Sequence, residues 1–190
     1  AIIIGVSTSL ASMVITGAMA AYAHSKNNNV DHAMVKRFIP GLIIGSLVIG
    51  FFIKSIPGDL LKYFFIFYAF MIAYKLFRHQ EVLKKSTLPN RLLSNGISFV
   101  FSIISGIVGI GGATLFVPFL VKNNIPPKLA IGTSSVLGFF IGLSASIAIY
   151  VGYFFSGLNN PQTFGFIYTP AILFLTLPSL IFIKLSAGWL

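Results

Sequence analysis

The sequence predicts an all-α polytopic membrane protein of about six apolar segments, one of them broken by glycines, arranged as two weakly similar repeats. Three observations lead there. Of 190 residues, 56% are hydrophobic and 8% charged, with a mean hydropathy of +0.94, whereas soluble domains run near ~25% charged. Such a chain cannot cover a water-facing surface. Apolar runs close to the roughly 20 residues of a spanning helix also follow one another with short polar breaks. One run, finally, is too long for a single span and rich in glycine.

The formal charge is +10, from 13 Lys and Arg against 3 Asp and Glu. These cations punctuate apolar runs instead of forming a stripe, so they mark topology and face anionic lipid, not nucleic acid. There is no cysteine, which removes disulfides and thiolate chemistry. Ala1 and Leu190 both stand inside apolar runs, and the sequence reads as cut at both ends.

The first apolar segment is about 2–24, followed by a polar loop holding Lys26, Asn27, Asn28, Asn29, Asp31, His32, Lys36 and Arg37. The second, about 38–53, carries Pro40 in its expected first turn, where a missing N–H costs little. Lys54, Pro57, Gly58 and Asp59 make a tight turn into the third, about 60–76. A basic linker at 78–91 precedes the fourth, 92–121; the fifth is 129–155 and the sixth 165–185.

The fourth segment would measure about 45 Å as one helix at ~1.5 Å per residue, against a hydrocarbon core of about 30 Å. It contains Gly106, Gly109, Gly111, Gly112 and Pro118, residues expected where a helix is interrupted. Either it crosses once with an unwound middle, or it enters, turns and leaves on the same side. If every segment crosses, the Lys and Arg divide 8 to 5 between the two sides; if the fourth is re-entrant, Lys122, Lys128 and Lys184 change sides and the split becomes 11 to 2. Positive-inside bias favours the second arrangement. It puts the linker in the cytoplasm and the loop with Asn159 and Asn160 outside.

STSLASMVITGAMA at 7–20 aligns with GTSSVLGFFIGLSA at 132–145, an offset of 125 that pairs Thr8, Ser9, Gly17 and Ala20 with Thr133, Ser134, Gly142 and Ala145. Further on the offset becomes 130, pairing Pro40 with Pro170 and Lys54 with Lys184. This divides the chain into a first repeat at 1–77, the linker at 78–91 and a second repeat at 92–190. The first is expected to lack its N-terminal part and the second its C-terminal part. With a re-entrant fourth segment the repeats are inverted, the arrangement of many secondary transporters; with a crossing one they are parallel.

The run GIVGIGGATLFVP at 106–118 has two readings. Its backbone N–H groups, freed from helical bonding at Gly109, Gly111 and Gly112, converge on an anion beside a helix N-terminus; or its glycines allow close helix packing. Gly111 is expected to need a positive φ. Thr8, Ser9, Thr133 and Ser134 either donate to that anion or cap helix starts and bond i−4 carbonyls. The stripes Ser134, Gly138, Gly142, Ser146 and Gly41, Gly45 are read as packing seams. His24, His32 and His79 match no metal spacing. GVSTS at 5–9 lacks the closing glycine of a nucleophile elbow. No catalytic residue and no metal ligand is expected. Asp31, Asp59 and Glu81 fall outside the apolar segments, so no intramembrane acid is present to couple protons.

With those residues in view, the chain resembles the sulfite exporter TauE/SafE family, also called the toluene-sulfonate uptake permease family. GIVGIGGATLFVP is similar to its Gly-rich signature, with Ala113 where the family has a third consecutive glycine. AIGTSS at 130–135, STSLA at 7–11, AHSKNNNVD at 23–31 and IPGDLLKYFF at 56–65 match similarly. The resemblance implies a permease, not an enzyme, with no organic cofactor, moving sulfite, sulfonates or related organic acids across the cytoplasmic membrane. It also implies further segments at both ends. The leading expectation is a secondary carrier; an anion-selective channel and a membrane-embedded non-transport subunit are the alternatives. Its partners are then a small anion and the lipid bilayer, with no nucleic acid, and a homo-oligomer stays open.

Overall fold

The computed structural model describes residues 2–77, 88–155, 163–164 and 167–186, with the side chains of 75, 76, 163, 164, 169 and 180–186 left aside. Most of the basic linker, and the loop with Asn159 and Asn160, lie outside the described residues. The order is α1 (Ile2–Lys26), α2 (His32–Phe52), a 3-10 turn (Ile53–Ser55), α3 (Gly58–Phe77), α4 (Arg91–Val108), α5 (Ala113–Lys122), α6 (Pro127–Phe154), two short strands and α7 (Thr169–Ser186). The strands, β1 (Thr163–Phe164) and β2 (Ile167–Tyr168), pair antiparallel where the sequence suggested neither. Among the described residues α1, α2 with its 3-10 turn, α4 and α6 are long and apolar enough to cross a membrane. The chain is an all-α, multi-pass membrane protein.

Helix ends follow local chemistry. α2 begins six residues before its apolar run because Asp31 Oδ1 accepts from the N–H groups of Ala33 (2.8 Å) and Met34 (3.0 Å), a side-chain N-cap. Pro40 therefore sits inside the helix, not in its first turn. The N–H of the next residue, Gly41, donates to Asn95 Oδ1 of α4 at 3.2 Å, so a neighbouring helix serves the ladder that the proline disturbs. α1 and α5 both end on a left-handed asparagine, Asn28 (φ 56°) and Asn124 (φ 63°). In each, the following N–H reaches back to a carbonyl: Asn29 to His24 at 2.9 Å and Ile125 to Leu120 at 3.1 Å, the Schellman closure that satisfies helix-end carbonyls.

α2, α4 and α6 run parallel, and α1 runs against them. Arg37 Nε donates to Ser94 Oγ at 2.9 Å near the starts of α2 and α4, while Ile49 meets Gly106 near their ends. The N–H of Asp31 donates to Thr133 Oγ1 at 3.0 Å near the starts of α2 and α6, and Lys54 Nζ reaches the Gly152 carbonyl at 3.0 Å near their far ends. The bundle thus has an Asn29 end and a Lys54 end.

The α2–α4 seam is built from small residues, which allow backbones to approach closely in a bilayer. A Cβ on Gly41 would collide with the Asn95 carbonyl, and one on Gly45 with Ser102 Oγ. Facing them, Ser94, Ser98, Ser102 and Ser105 are buried along one stripe of α4. Their hydroxyls are satisfied locally, Ser98 by the Asn95 carbonyl (3.0 Å) and Ser102 by that of Phe99 (2.9 Å). This serine stripe, at i+4 and i+3 spacing, was readable in the sequence and is absent from the expectations above.

The fourth segment doubles back. Were α5 to continue α4, Phe101 and Phe119 would lie about 27 Å apart at ~1.5 Å per residue. Their ring centroids are 5.7 Å apart, and Phe101 also meets Phe116 at 5.2 Å. α5 therefore returns beside α4, and α6 starts at the Asn29 end where α4 started. Arg91, Lys122 and Lys128 consequently sit at one end of the bundle. Phe38 of α2 closes the same aromatic group, 5.7 Å from Phe116, in a core with Leu42, Leu120, Leu137 and Ile141.

Candidate functional site

The glycine break lies against the middle of α6. α4 ends at Gly109, whose φ of 71° is left-handed and costs glycine nothing while other residues pay for it. The positive φ thus falls at Gly109 and not at Gly111, because the helix-closing position is what requires it; the N–H groups of Gly109 and Ile110 both return to the Ser105 carbonyl, at 2.9 and 3.1 Å. α5 opens at Ala113 after Gly112. Ala113 is thus a helical residue, which explains why a side chain is tolerated at that position of the signature. A Cβ on Gly112 would lie 2.9 Å from Ile141 Cδ1 and 3.5 Å from Gly138 Cα. Those residues fall about 17 to 21 Å along α6, whose 28 residues extend about 42 Å. A Cβ on Gly111 would face Met13 Sδ of α1 at 3.3 Å. The turn therefore abuts both α1 and the middle of α6.

Its polar groups divide by sign. Ser9 Oγ donates to the Gly109 carbonyl at 2.6 Å, Ser105 Oγ to that of Ile110, and Thr114 Oγ1 to that of Gly111 at 3.1 Å. The Gly112 carbonyl accepts from Leu115 (3.1 Å) and Phe116 (2.8 Å). Four consecutive carbonyls are thus occupied. The N–H groups of Gly111, Gly112 and Ala113 make no hydrogen bond among the described residues, and α5 has no side-chain cap at its start. A helix N-terminus with free N–H groups carries partial positive charge without a buried cation.

The other residues singled out from sequence have separate positions. Ser9 reaches the turn, but as a donor to a carbonyl. Thr8 Oγ1 accepts from the N–H of Tyr168, just before α7, at 2.9 Å. Thr133 Oγ1 accepts from the N–H of Asp31, just before α2, so its hydroxyl serves the Asn29 end. Ser135 bonds the i−4 carbonyl of Ile131 at 2.9 Å. Ser134, fully buried, leaves Oγ without a partner among the described residues; it lies one helical turn from Gly138, on the face that Gly138 turns to Gly112. The structure thus brings Gly109, Gly111, Gly112 and Ser9 together, sets Ser134 beside them, leaves Thr8 next to Ser9 with its hydroxyl engaged by Tyr168, and places Thr133 at the Asn29 end. Thr114, Ser105 and Tyr68 are the residues that sequence reasoning missed. Tyr68 Oη of α3 donates to Thr114 Oγ1 at 3.1 Å. No three His, Asp, Glu or Cys side chains among the described residues gather to hold a metal ion.

The α1–α6 contact relates matched positions. A Cβ on Gly17 would meet Phe139 Cα at 3.1 Å, and one on Gly142 would meet the Leu10 carbonyl at 3.0 Å and Val14 N at 3.4 Å. At the offset of 125, Phe139 is the counterpart of Val14. The two helices cross antiparallel at their own matched glycines, and the glycine turn lies against that crossing.

Comparison with known proteins gives a family. The family model described as sulfite exporter TauE/SafE matches residues 2–190. A probable membrane transporter protein of Haemophilus influenzae is 31% identical over 188 residues, covering 95% of this chain and 69% of that protein. Sulfite exporter TauE/SafE family protein 5 of Arabidopsis thaliana is 38% identical over 81 residues, 43% of this chain and 16% of that protein. The probable membrane transporter protein YtnM of Bacillus subtilis is 26% identical over 153 residues, 77% of this chain and 51% of that protein. The chain thus spans about two thirds of the Haemophilus protein and half of the Bacillus one. No solved structure matches it. The chain belongs to the sulfite exporter TauE/SafE family.

Proposed function

We propose that this protein is a secondary carrier of small sulfur-containing anions, such as sulfite or sulfonates, in the cytoplasmic membrane, and that the anion binds at the 109–112 turn. One observation carries the reading: beside the middle of α6, four consecutive carbonyls are occupied while the N–H groups of Gly111, Gly112 and Ala113 have no partner among the described residues. Peptide N–H groups hold an oxyanion without a Lys or Arg, whose charge would be costly to bury and slow to release its ligand. The family description supplies the sulfur oxyanion. The Asn29 end, with Lys26, Lys36, Arg37, Arg91, Lys122 and Lys128, faces the cytoplasm by the positive-inside rule. An inside-negative potential then favours exit of the anion by ~2.3 kcal/mol per charge per 100 mV.

A carrier is preferred over a channel because α1 and α6 cross antiparallel at matched residues, the geometry of inverted repeats that rock about a central site. The experiment is radiolabelled sulfite and sulfonate flux in proteoliposomes of the full-length protein. Saturable flux with counterflow supports the carrier. Conductance far above carrier turnover supports a channel, and no flux of either anion removes the reading.

A further inference from the structure

Among the described side chains of α3, Tyr68 and Leu61 alone are well buried, 5% and 2% exposed, while Tyr63, Phe67 and Phe70 are 66 to 72% exposed. Packing does not account for where the Tyr68 hydroxyl goes. Tyr68 Oη donates to Thr114 Oγ1 at 3.1 Å, and Thr114 Oγ1 donates to the Gly111 carbonyl at 3.1 Å. The Gly111 carbonyl and the Gly112 N–H belong to one peptide unit. Its oxygen is hydrogen-bonded and its N–H has no partner among the described residues. The preceding unit is arranged alike, with Ser105 Oγ on the Ile110 carbonyl and a free Gly111 N–H.

Hydrogen bonds in series polarise one another. A donor on a peptide carbonyl draws charge toward oxygen and leaves the N–H of the same unit a stronger donor. The donor also fixes the plane of the peptide, and so the direction in which the N–H points. Resting on the reading of this turn as the anion site, we infer that Tyr68, Thr114 and Ser105 are positioning residues. They aim and strengthen the Gly112 and Gly111 N–H groups for the substrate, and Tyr68 ties helix α3 to the occupancy of the site.

The chain Tyr68–Thr114–Gly111 acts in series, so its members should not act independently. In the full-length protein, Thr114→Val should raise the half-saturation constant for sulfite about three- to tenfold, the worth of one hydrogen bond. The maximal rate and the amount of inserted protein should stay at parent values. Thr114→Ser restores the hydroxyl and should restore the constant. Tyr68→Phe keeps the ring and should raise the constant less than Thr114→Val does. The double variant should equal Thr114→Val alone, because the outer donor acts through the inner one. Tyr63→Phe, on the same helix and exposed, should match the parent. A purely structural role predicts instead a fall in inserted protein or maximal rate with the constant unchanged. An unchanged constant in Thr114→Val, or additive effects in the double variant, would overturn the relay while a saturable parent flux leaves the carrier intact. A parent that moves neither sulfite nor sulfonate overturns both.

Discussion

Thr8 and Thr133, 125 positions apart in sequence, perform the same task for two different helices. Each is a buried threonine on one of the two crossed helices, and each accepts the backbone N–H of the residue that leads into another helix: Tyr168 before α7, Asp31 before α2. The start of α7 is thereby tied to α1 and the start of α2 to α6. Replacing either by Val keeps the shape and orphans a backbone donor. Thr8→Val and Thr133→Val should each lower stability in detergent by about 1 to 3 kcal/mol, with Ser restoring most of it. A thermal-unfolding series on the purified variants checks this; a Thr133→Val protein as stable as the parent would mean that Asp31 finds another acceptor.

Glycines of this chain should differ sharply in tolerance. A Cβ at Gly45 would collide with Ser102 Oγ and lie 2.5 Å from the Phe99 carbonyl, whereas Gly96, on α4, has nothing within 4 Å. Gly45→Ala should destabilise by about 1 to 3 kcal/mol or more through forced separation of α2 and α4. Gly96→Ala should be neutral or stabilising by up to about 1 kcal/mol, from helix propensity alone. Unfolding midpoints of the two variants decide the point.

Ser134 carries a buried hydroxyl with no partner among the described residues. Removing it should cost no stability and could add about 1 kcal/mol, since an unsatisfied polar group is itself costly. If Ser134 also contacts the anion, Ser134→Ala raises the half-saturation constant without lowering the melting temperature. Paired measurement of the two quantities separates a contact from a packing role.

The end assignment is testable in a background with no native cysteine. Single cysteines at Ser55 and Asn124, both exposed and at opposite ends of the bundle, should respond differently to an impermeant thiol reagent added to intact cells. Ser55→Cys should be labelled and Asn124→Cys protected until the cells are opened. The reverse pattern would place the basic end outside.

The helical class and the interruption of the fourth segment were legible from apolar run lengths and from Gly109, Gly111 and Gly112. The direction after the break was not a composition signal; only the charge count leaned toward doubling back, and the Phe101–Phe119 contact shows it. Helix starts were missed where side chains set them, as at α2, because Asp31 caps a stretch that hydropathy alone reads as loop. The offset of 130 does not pair like positions along the two helices. Pro40 is the ninth residue of α2, whereas Pro170 is the second of α7 and Pro178 the tenth, so Pro178 is the nearer counterpart. At the site, the glycines could be named from sequence, but Thr114 and Tyr68 could not. Their roles come from a hydroxyl chain between residues 46 positions apart on different helices, and nothing in local spacing encodes that meeting.

The central claim is that free peptide N–H groups of the glycine turn hold the anion. Amide shifts in full-length protein carrying nitrogen-15 glycine, embedded in nanodiscs and titrated with sulfite or methanesulfonate, test it most directly. The amide protons of Gly111 and Gly112 should move downfield and saturate at the concentration that half-saturates flux, with Gly58 and Gly96 unmoved. Saturable flux with no shift at Gly111 and Gly112 would place the anion elsewhere and contradict the account.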